Sequence, residues 1–146
     1  MAFPRPQLSL KGRALRLLSQ REHSRVELER KLAAHEEEPG TLAQALDELQ
    51  AKGFISEARV IESVIHRRAS KLGTARVQQE LAAKGLSSQA MAEALDQLRS
   101  TEFERAREVW SRKFEAPATD PKERARQMRF LLSRGFTAEV VRKVTG

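Results

Sequence analysis

Residues 73–98, GTARVQQELAAKGLSSQAMAEALDQL, decide how the chain is read. Thr74 marks the start of a helix, because its hydroxyl is placed to accept from a backbone N–H that has no partner inside the first turn. Gly85 ends that helix: a residue at a helix end often needs positive φ, which glycine adopts without a Cβ clash. Ser87 then caps a second helix. Val77 and Leu81 on the first helix, and Met91, Ala94, Leu95 and Leu98 on the second, recur at steps of three and four. Each helix therefore has one apolar stripe and one wet face. Two such stripes cannot bury each other completely.

The pattern recurs on both sides. Upstream, SRVELERKLAAHEEEPGTLAQALDEL at 24–49 places Leu32 over Leu81 at an offset of 49 residues, and the same offset carries Leu28 to Val77, Leu42 to Met91, Leu46 to Leu95 and Leu49 to Leu98. Downstream, an offset of 50 takes Leu81 to Leu131, Gly85 to Gly135, Ser87 to Thr137 and Met91 to Val141, within a more diverged copy. Repetition at this period points to a helical repeat array. A unit of about 45 residues is marginal alone, so the units are expected to stack and share apolar surface.

The chain has 146 residues and a hydrophobic content of 40%, enough for a core. It has no cysteine, which excludes a disulfide scaffold and a thiolate zinc site and fits a reducing compartment. Tyrosine is absent and aromatic residues make up 5%, which argues against reading bases mainly by aromatic stacking. The opening MAFPRPQLSLKGR lacks an apolar run of signal-peptide length, and no long apolar segment follows, so a cytoplasmic protein is expected. Net charge is +7, and the excess is greatest in residues 101–146, with 11 basic and 7 acidic groups against 9 and 8 in residues 1–53. That balance favours a polyanionic partner, either a phosphate backbone or an acidic protein surface.

Taken in order, residues 1–10, with Pro4 and Pro6, read as an arm without periodicity. A first helix is predicted over 12–21, with Leu15 and Leu18 inward. Ser24 and Glu27 form a capping box for the second helix, whose inner face holds Leu28 and Leu32. Glu36, Glu37 and Glu38 interrupt the pattern; without further ligands or EF-hand spacing they read as a solvated loop rather than a cation site. Thr41 and Gln44 signal the third helix, carrying Leu42, Ala45, Leu46 and Leu49 and ending at Gly53. Ser56 caps the fourth, with Val60, Ile61, Val64 and Ile65 inward and His66, Arg67, Arg68 and Lys71 towards its C-terminal end, where cations also suit the helix dipole. The stretch quoted first supplies the fifth and sixth. Thr101 and Glu104 open the seventh, with Phe103, Ala106, Val109, Trp110 and Phe114 placed for burial; Trp110 falls in step with the stripe and reads as a core anchor. Asp120, Pro121 and Glu123 start the eighth, with Met128, Leu131 and Leu132 inward. Gly135 ends it, and Thr137 starts the ninth with Val140, Val141 and Val144. Nothing alternates like a strand. The expected fold is all-α: three tandem three-helix repeats, at 11–53, 54–100 and 101–146, stacked into an elongated array after the arm at 1–10.

Standard catalytic chemistry is missing. His23, His35 and His66 are scattered, without HExxH or zinc-site spacing, and neither GxxxxGK[ST] nor GxGxxG occurs. Most serines sit at helix starts, where capping accounts for them. No catalytic residue, metal site or cofactor is predicted, and the chain is read as no enzyme.

Residue by residue, the chain resembles the RecX family of bacterial recombination regulators from about Leu10 to Val144. The carriers are Ala14-Leu15; Ser24, Glu27-Leu28 and Lys31-Leu32; Gly73 followed by Glu80-Leu81-Ala82-Ala83-Lys84-Gly85-Leu86; and Arg129-Phe130-Leu131 with Arg134-Gly135-Phe136. One segment departs: where the family usually shows acidic residues followed by Phe-Ala, this chain has Ile55-Ser56-Glu57 and then Val60-Ile61. The resemblance implies three tandem three-helix units that bind the RecA recombinase filament on single-stranded DNA and restrain its ATPase, strand-exchange and coprotease activities. A basic helical array agrees with this in kind, since it could lie along a polymer groove and gain avidity from modest contacts.

Arg67, Arg68, Lys71 and Arg76 in the middle unit, and Arg124, Arg126 and Arg129 in the last, are the candidate filament or nucleic-acid contacts. Direct contact with single-stranded DNA, or contact only within the filament, stays open at this level. So do two other readings: a helix-turn-helix-like DNA-binding protein acting without a recombinase, and a scaffold that binds only protein. An array that buries its own stripes needs no second copy, so a monomer without membrane attachment is expected.

Overall fold

The computed structural model describes residues 7–146, and among these the chain is helical without strands. The helices are α1 (Leu10–Gln20), α2 (Arg25–Leu32), α3 (Thr41–Ala51), α4 (Glu57–Arg68), α5 (Thr74–Ala83), α6 (Ser88–Ser100), α7 (Glu102–Lys113), α8 (Pro121–Ser133) and α9 (Ala138–Thr145), with a short 3-10 turn at Ala33–His35. The chain divides into two compact units, Met1–Val60 and Ile61–Gly146. Of the arm expected at 1–10, residues 1–6 lie outside the described residues; Ser9 is the cap of α1, its hydroxyl accepting from the Gly12 N–H at 3.0 Å, and Leu10 is already helical.

In the first unit, the apolar stripes of α1, α2 and α3 meet in a core of Ala14, Leu28, Leu32, Leu42, Leu46, Leu49 and Ile55, with Leu15 and Leu18 half-buried at its edge. Each buried leucine contributes roughly 1.5–3 kcal/mol of transfer free energy. The capping box of α2 is complete: the Ser24 hydroxyl accepts from the Glu27 amide, and the Glu27 carboxylate accepts from the Ser24 amide at 3.0 Å. The start of α3 differs from the Thr41–Gln44 expectation. Gly40, at φ +89°, is the N-cap, and Glu36 Oε2 accepts from the Leu42 N–H at 2.8 Å. One residue of the expected solvated loop thus caps a helix, because a carboxylate finds both orphan amides and the positive end of the dipole there.

In the second unit, Val77, Leu81, Leu86, Met91, Leu95 and Leu98 are buried, as the three- and four-residue spacing requires. Gly85 takes φ +73° after α5, and the Ser87 hydroxyl accepts from the Ala90 amide at 3.2 Å. Asp120 with Pro121, and Thr137, likewise open α8 and α9. Ala106, Val109, Leu131, Phe136 and Val141 form a second core. Trp110 anchors its edge, half-buried, with its indole N–H donating to Gln127 Oε1 at 2.9 Å; the Gln127 amide in turn donates to the Ala116 carbonyl.

Four expectations are corrected here. Thr74 does not cap α5: Gly73 is the N-cap, and no side chain of its own turn closes the helix. The Thr101 hydroxyl does not cap α7 but donates back to the Gln97 and Leu98 carbonyls. Phe103 is 39% exposed while its neighbour Glu102 is buried, and Leu132 is 44% exposed while Leu131 and Gln127 are buried. Adjacent helical residues point about 100° apart, so turning Glu102 inward, in step with Ala106 and Val109, turns Phe103 out.

Candidate functional site

The second unit is held together by a junction of backbone against backbone. The Gly73 amide donates to the Arg134 carbonyl at 2.8 Å, and Arg76 Nη1 donates to the Ser133 carbonyl at 2.7 Å, tying the start of α5 to the end of α8. Both glycines are required by space. A Cβ on Gly73 would fall on the Gly135 carbonyl, and Gly135, at φ +92°, faces the Arg76 side chain. Only a residue without Cβ permits that approach.

Arg105 on α7 closes the junction from the other side. Its guanidinium donates to the Ala69, Leu72 and Leu98 carbonyls at 3.0, 2.7 and 2.8 Å, and to the hydroxyls of Thr74 and Thr101, both at 3.1 Å. The planar fork of five donors explains why an arginine stands here. Burial pushes its pKa down and the nearby Glu102 carboxylate pushes it up, with burial the larger effect. Glu102 itself accepts from the Thr74 N–H at 2.8 Å and so supplies the missing cap of α5.

This junction brings the turn after α4 beside α7 and α8 and leaves a cleft of about 230 Å³ between them. Lys71, Arg112, Lys113 and Arg134 line it, with Ser70, Val109 and Phe130 and without any acidic side chain. Arg112 is pinned, donating through Nη2 to the Ser70 carbonyl at 3.0 Å. Lys113 and Arg134 lie 5.6 and 5.0 Å from the centre of the Phe130 ring, within reach of its negative face. Phe130 is itself edge-on to Phe114, with centroids 5.5 Å apart.

The seven sequence-predicted contacts do not form one patch. Lys71 belongs to the basic cleft. Arg68 and Arg76 line a second cleft with Leu72, Gln79 and Glu80, where Arg68 Nε lies 3.3 Å from Glu80 Oε1, so its charge is partly neutralised. Arg67 is exposed on α4, and its Nε donates to the Ser63 carbonyl at 3.3 Å. On α8, successive residues turn by about 100°, which sets Arg126 and Arg129, three apart, on one side of the helix and turns Arg124 away from both. Arg126 is paired with Glu123 through two hydrogen bonds and lies over the Phe114 ring; Arg124 and Arg129 are exposed. Hydrogen bonding to Glu123 raises the Arg126 pKa, and the reciprocal bond lowers that of Glu123.

Sequence reasoning missed Arg112, Lys113 and Arg134. The signal available was weak: Arg112 and Lys113 end α7 and Arg134 ends α8, where basic residues are already accounted for by the dipole. Among the described residues no group of His, Asp and Glu is placed to hold a metal ion, and no helix is long and apolar enough to cross a membrane. What the arrangement does chemically is concentrate positive charge around a concave surface.

Comparison with known proteins agrees with the three-fold pattern. The family models for the first, second and third three-helix domains of RecX match residues 11–49, 56–95 and 100–145. The regulatory protein RecX of Leptothrix cholodnii is 59% identical over 99% of this chain and 92% of its own length. That of Ralstonia nicotianae is 49% identical, covering 99% and 91%. A crystal structure of RecX from Lactobacillus salivarius superposes with a TM-score of 0.77 at 17% identity, over 92% of this chain and 91% of that one; at such identity the likeness is one of fold.

Proposed function

The chain belongs to the RecX family, and on that premise we propose that it binds the RecA recombinase filament on single-stranded DNA and inhibits its ATPase, strand-exchange and coprotease activities. The observation that carries this reading is the kinship with regulatory RecX proteins along almost the whole chain. The basic groups of the second unit support it. Arg67, Lys71, Arg124 and Arg129 are exposed, while Arg68, Arg76 and Arg126 are engaged internally. These seven are the proposed contacts for the phosphate or acidic subunit surface of a filament groove. The protein acts as a monomer in the cytoplasm, through repeats at 11–53, 54–100 and 101–146.

The test is the single-stranded-DNA-dependent ATPase of the cognate RecA, titrated with this protein at fixed moderate salt. Inhibition well below one molecule per recombinase subunit is expected, reflecting action at filament ends or gaps. Charge reversal at Arg67, Lys71, Arg124 and Arg129 should weaken it while leaving helix content unchanged. If the folded wild-type chain inhibits nothing, the filament reading is overturned, and duplex binding with a preferred sequence would put a helix-turn-helix-like DNA-binding role in its place.

A further inference from the structure

The cleft bounded by Lys71, Arg112, Lys113 and Arg134 gathers four basic side chains with no carboxylate among its lining residues, unlike the paired cations of the chain. Arg25, Arg59, Arg68, Arg99 and Arg126 each lie against a carboxylate. The four cations of the cleft have no ion-pair partner among the described residues, yet they converge on about 230 Å³. Like charges gathered in this way repel one another, and a fold that holds them together creates a focus for an anion. The gathering is built rather than incidental. Arg112 is held on the Ser70 carbonyl, Arg134 and Lys113 rest on the Phe130 ring, and the Gly73–Arg134 hydrogen bond fixes the turn that carries Lys71.

We propose that this cleft binds a phosphodiester group of single-stranded nucleic acid, so that the second unit touches the strand directly. The Arg134 guanidinium fork, with the remaining donors of Arg112, whose Nε and Nη2 are held on the Glu108 and Ser70 carbonyls, and the two ammonium groups suit the several oxygens of a phosphate, and Val109 and Phe130 provide an apolar wall for the sugar. Phe130 already carries two cations, which suits charge recognition, without reading of base identity, rather than a stacking platform. A concave site of this size admits one backbone at a time. The inference deepens the filament reading and rests on it for its setting, but its test needs no recombinase.

The experiment is fluorescence-anisotropy binding of the full chain to a labelled oligothymidylate across a salt series. The double variant Lys71→Gln with Lys113→Gln is compared with a charge-matched control, Arg16→Gln with Arg107→Gln, whose residues are exposed outside the cleft. Loss of the one phosphate contact should lower the slope of log affinity against log salt by about 0.7, equivalent to roughly 5-fold weaker binding at 0.1 M salt, with the control unchanged. Equal loss in the cleft variant and the control would overturn the site, as would an unchanged slope in the cleft variant. Displacement of the strand by free ATP or inorganic phosphate at the concentration of strand phosphate would assign the cleft to a free phosphate group instead. Should the cleft variant bind the strand normally but lose binding to DNA-free recombinase, the cleft faces an acidic protein surface and the proposal fails. Strand binding lost as expected, alongside a wild-type chain that leaves the RecA ATPase untouched, would retain the phosphodiester site and remove the filament reading.

Discussion

Glu102 caps a helix to which it does not belong: its Oε1 accepts from the Thr74 amide, 28 residues earlier, at 2.8 Å. Both residues are buried, so the amide has no access to water if the carboxylate is removed. Glu102→Ala should cost about 1.5–3 kcal/mol, the range for a hydrogen bond to a charged group. Glu102→Gln, which keeps an acceptor oxygen, should cost less. Hydrogen exchange of the Thr74 amide reads the effect locally, and equal protection in wild type and Glu102→Ala would contradict the capping role.

Arg105→Lys is expected to be damaging despite conserving charge. One ammonium has three donors on a flexible stem and cannot serve the Ala69, Leu72 and Leu98 carbonyls together with two hydroxyls. Leaving even one or two of these groups unpaired costs about 2 kcal/mol or more. Trp110, the single tryptophan, lies in the same unit, so its fluorescence during urea unfolding reports the loss.

Gly73→Ala should open the contact between the start of α5 and the turn after α8, because the new methyl meets backbone rather than a movable side chain. Overpacking of this kind costs about 1–3 kcal/mol. Gly135→Ala adds the strain of a positive φ to a clash with Arg76. Thermal unfolding should place both variants below wild type, while Gly53→Ala, also at positive φ but with open space around it, should be the milder change.

His23 gives the first unit a dependence on pH. It is buried; Nδ1 lies 3.0 Å from the Arg21 carbonyl, and Lys31 Nζ donates to Nε2 at 3.0 Å. That pattern needs the neutral ring with its proton on Nδ1, and burial, the largest cause, lowers its pKa. A lowered folded-state pKa means that the unfolded chain binds the proton more tightly. Stability is therefore complete above about pH 6.5 and is lost as the pH falls below that value and through the lower folded-state pKa. Exchange of the Leu28 and Leu32 amides between pH 7.5 and 5 should accelerate beyond the intrinsic trend, and His23→Gln should flatten that excess.

Much of the helix map was legible because the determinants are local. Ser24 with Glu27, Ser56, Ser87, Asp120 with Pro121, and Thr137 open helices through bonds to residues at most three positions away. Gly53, Gly85 and Gly135 take positive φ where they were expected to end helices. The leucine ladder linking Leu28, Leu32, Leu42, Leu46 and Leu49 to Val77, Leu81, Met91, Leu95 and Leu98 located the cores, since periodic apolar residues on a short helix have only one face on which to be buried. The likeness to RecX was carried by Ala14-Leu15, by Ser24 with Glu27-Leu28 and Lys31-Leu32, by Gly73 with Glu80 to Leu86, and by Arg129-Phe130-Leu131 with Arg134-Gly135-Phe136.

Composition and periodicity settled an all-α repeat protein with excess positive charge, whereas the placement of that charge was settled by contacts between distant parts of the chain. Whether Glu102 or Phe103 turned inward depended on an orphan amide at Thr74. Whether Arg112, Lys113 and Arg134 formed a site with Lys71 depended on Gly73 meeting the end of α8, 61 residues along, at Arg134. A stripe of leucines states its face through a local period of 3.6 residues. A cluster of cations drawn from three separate elements has no period, and comes into being only when the backbone between them has folded.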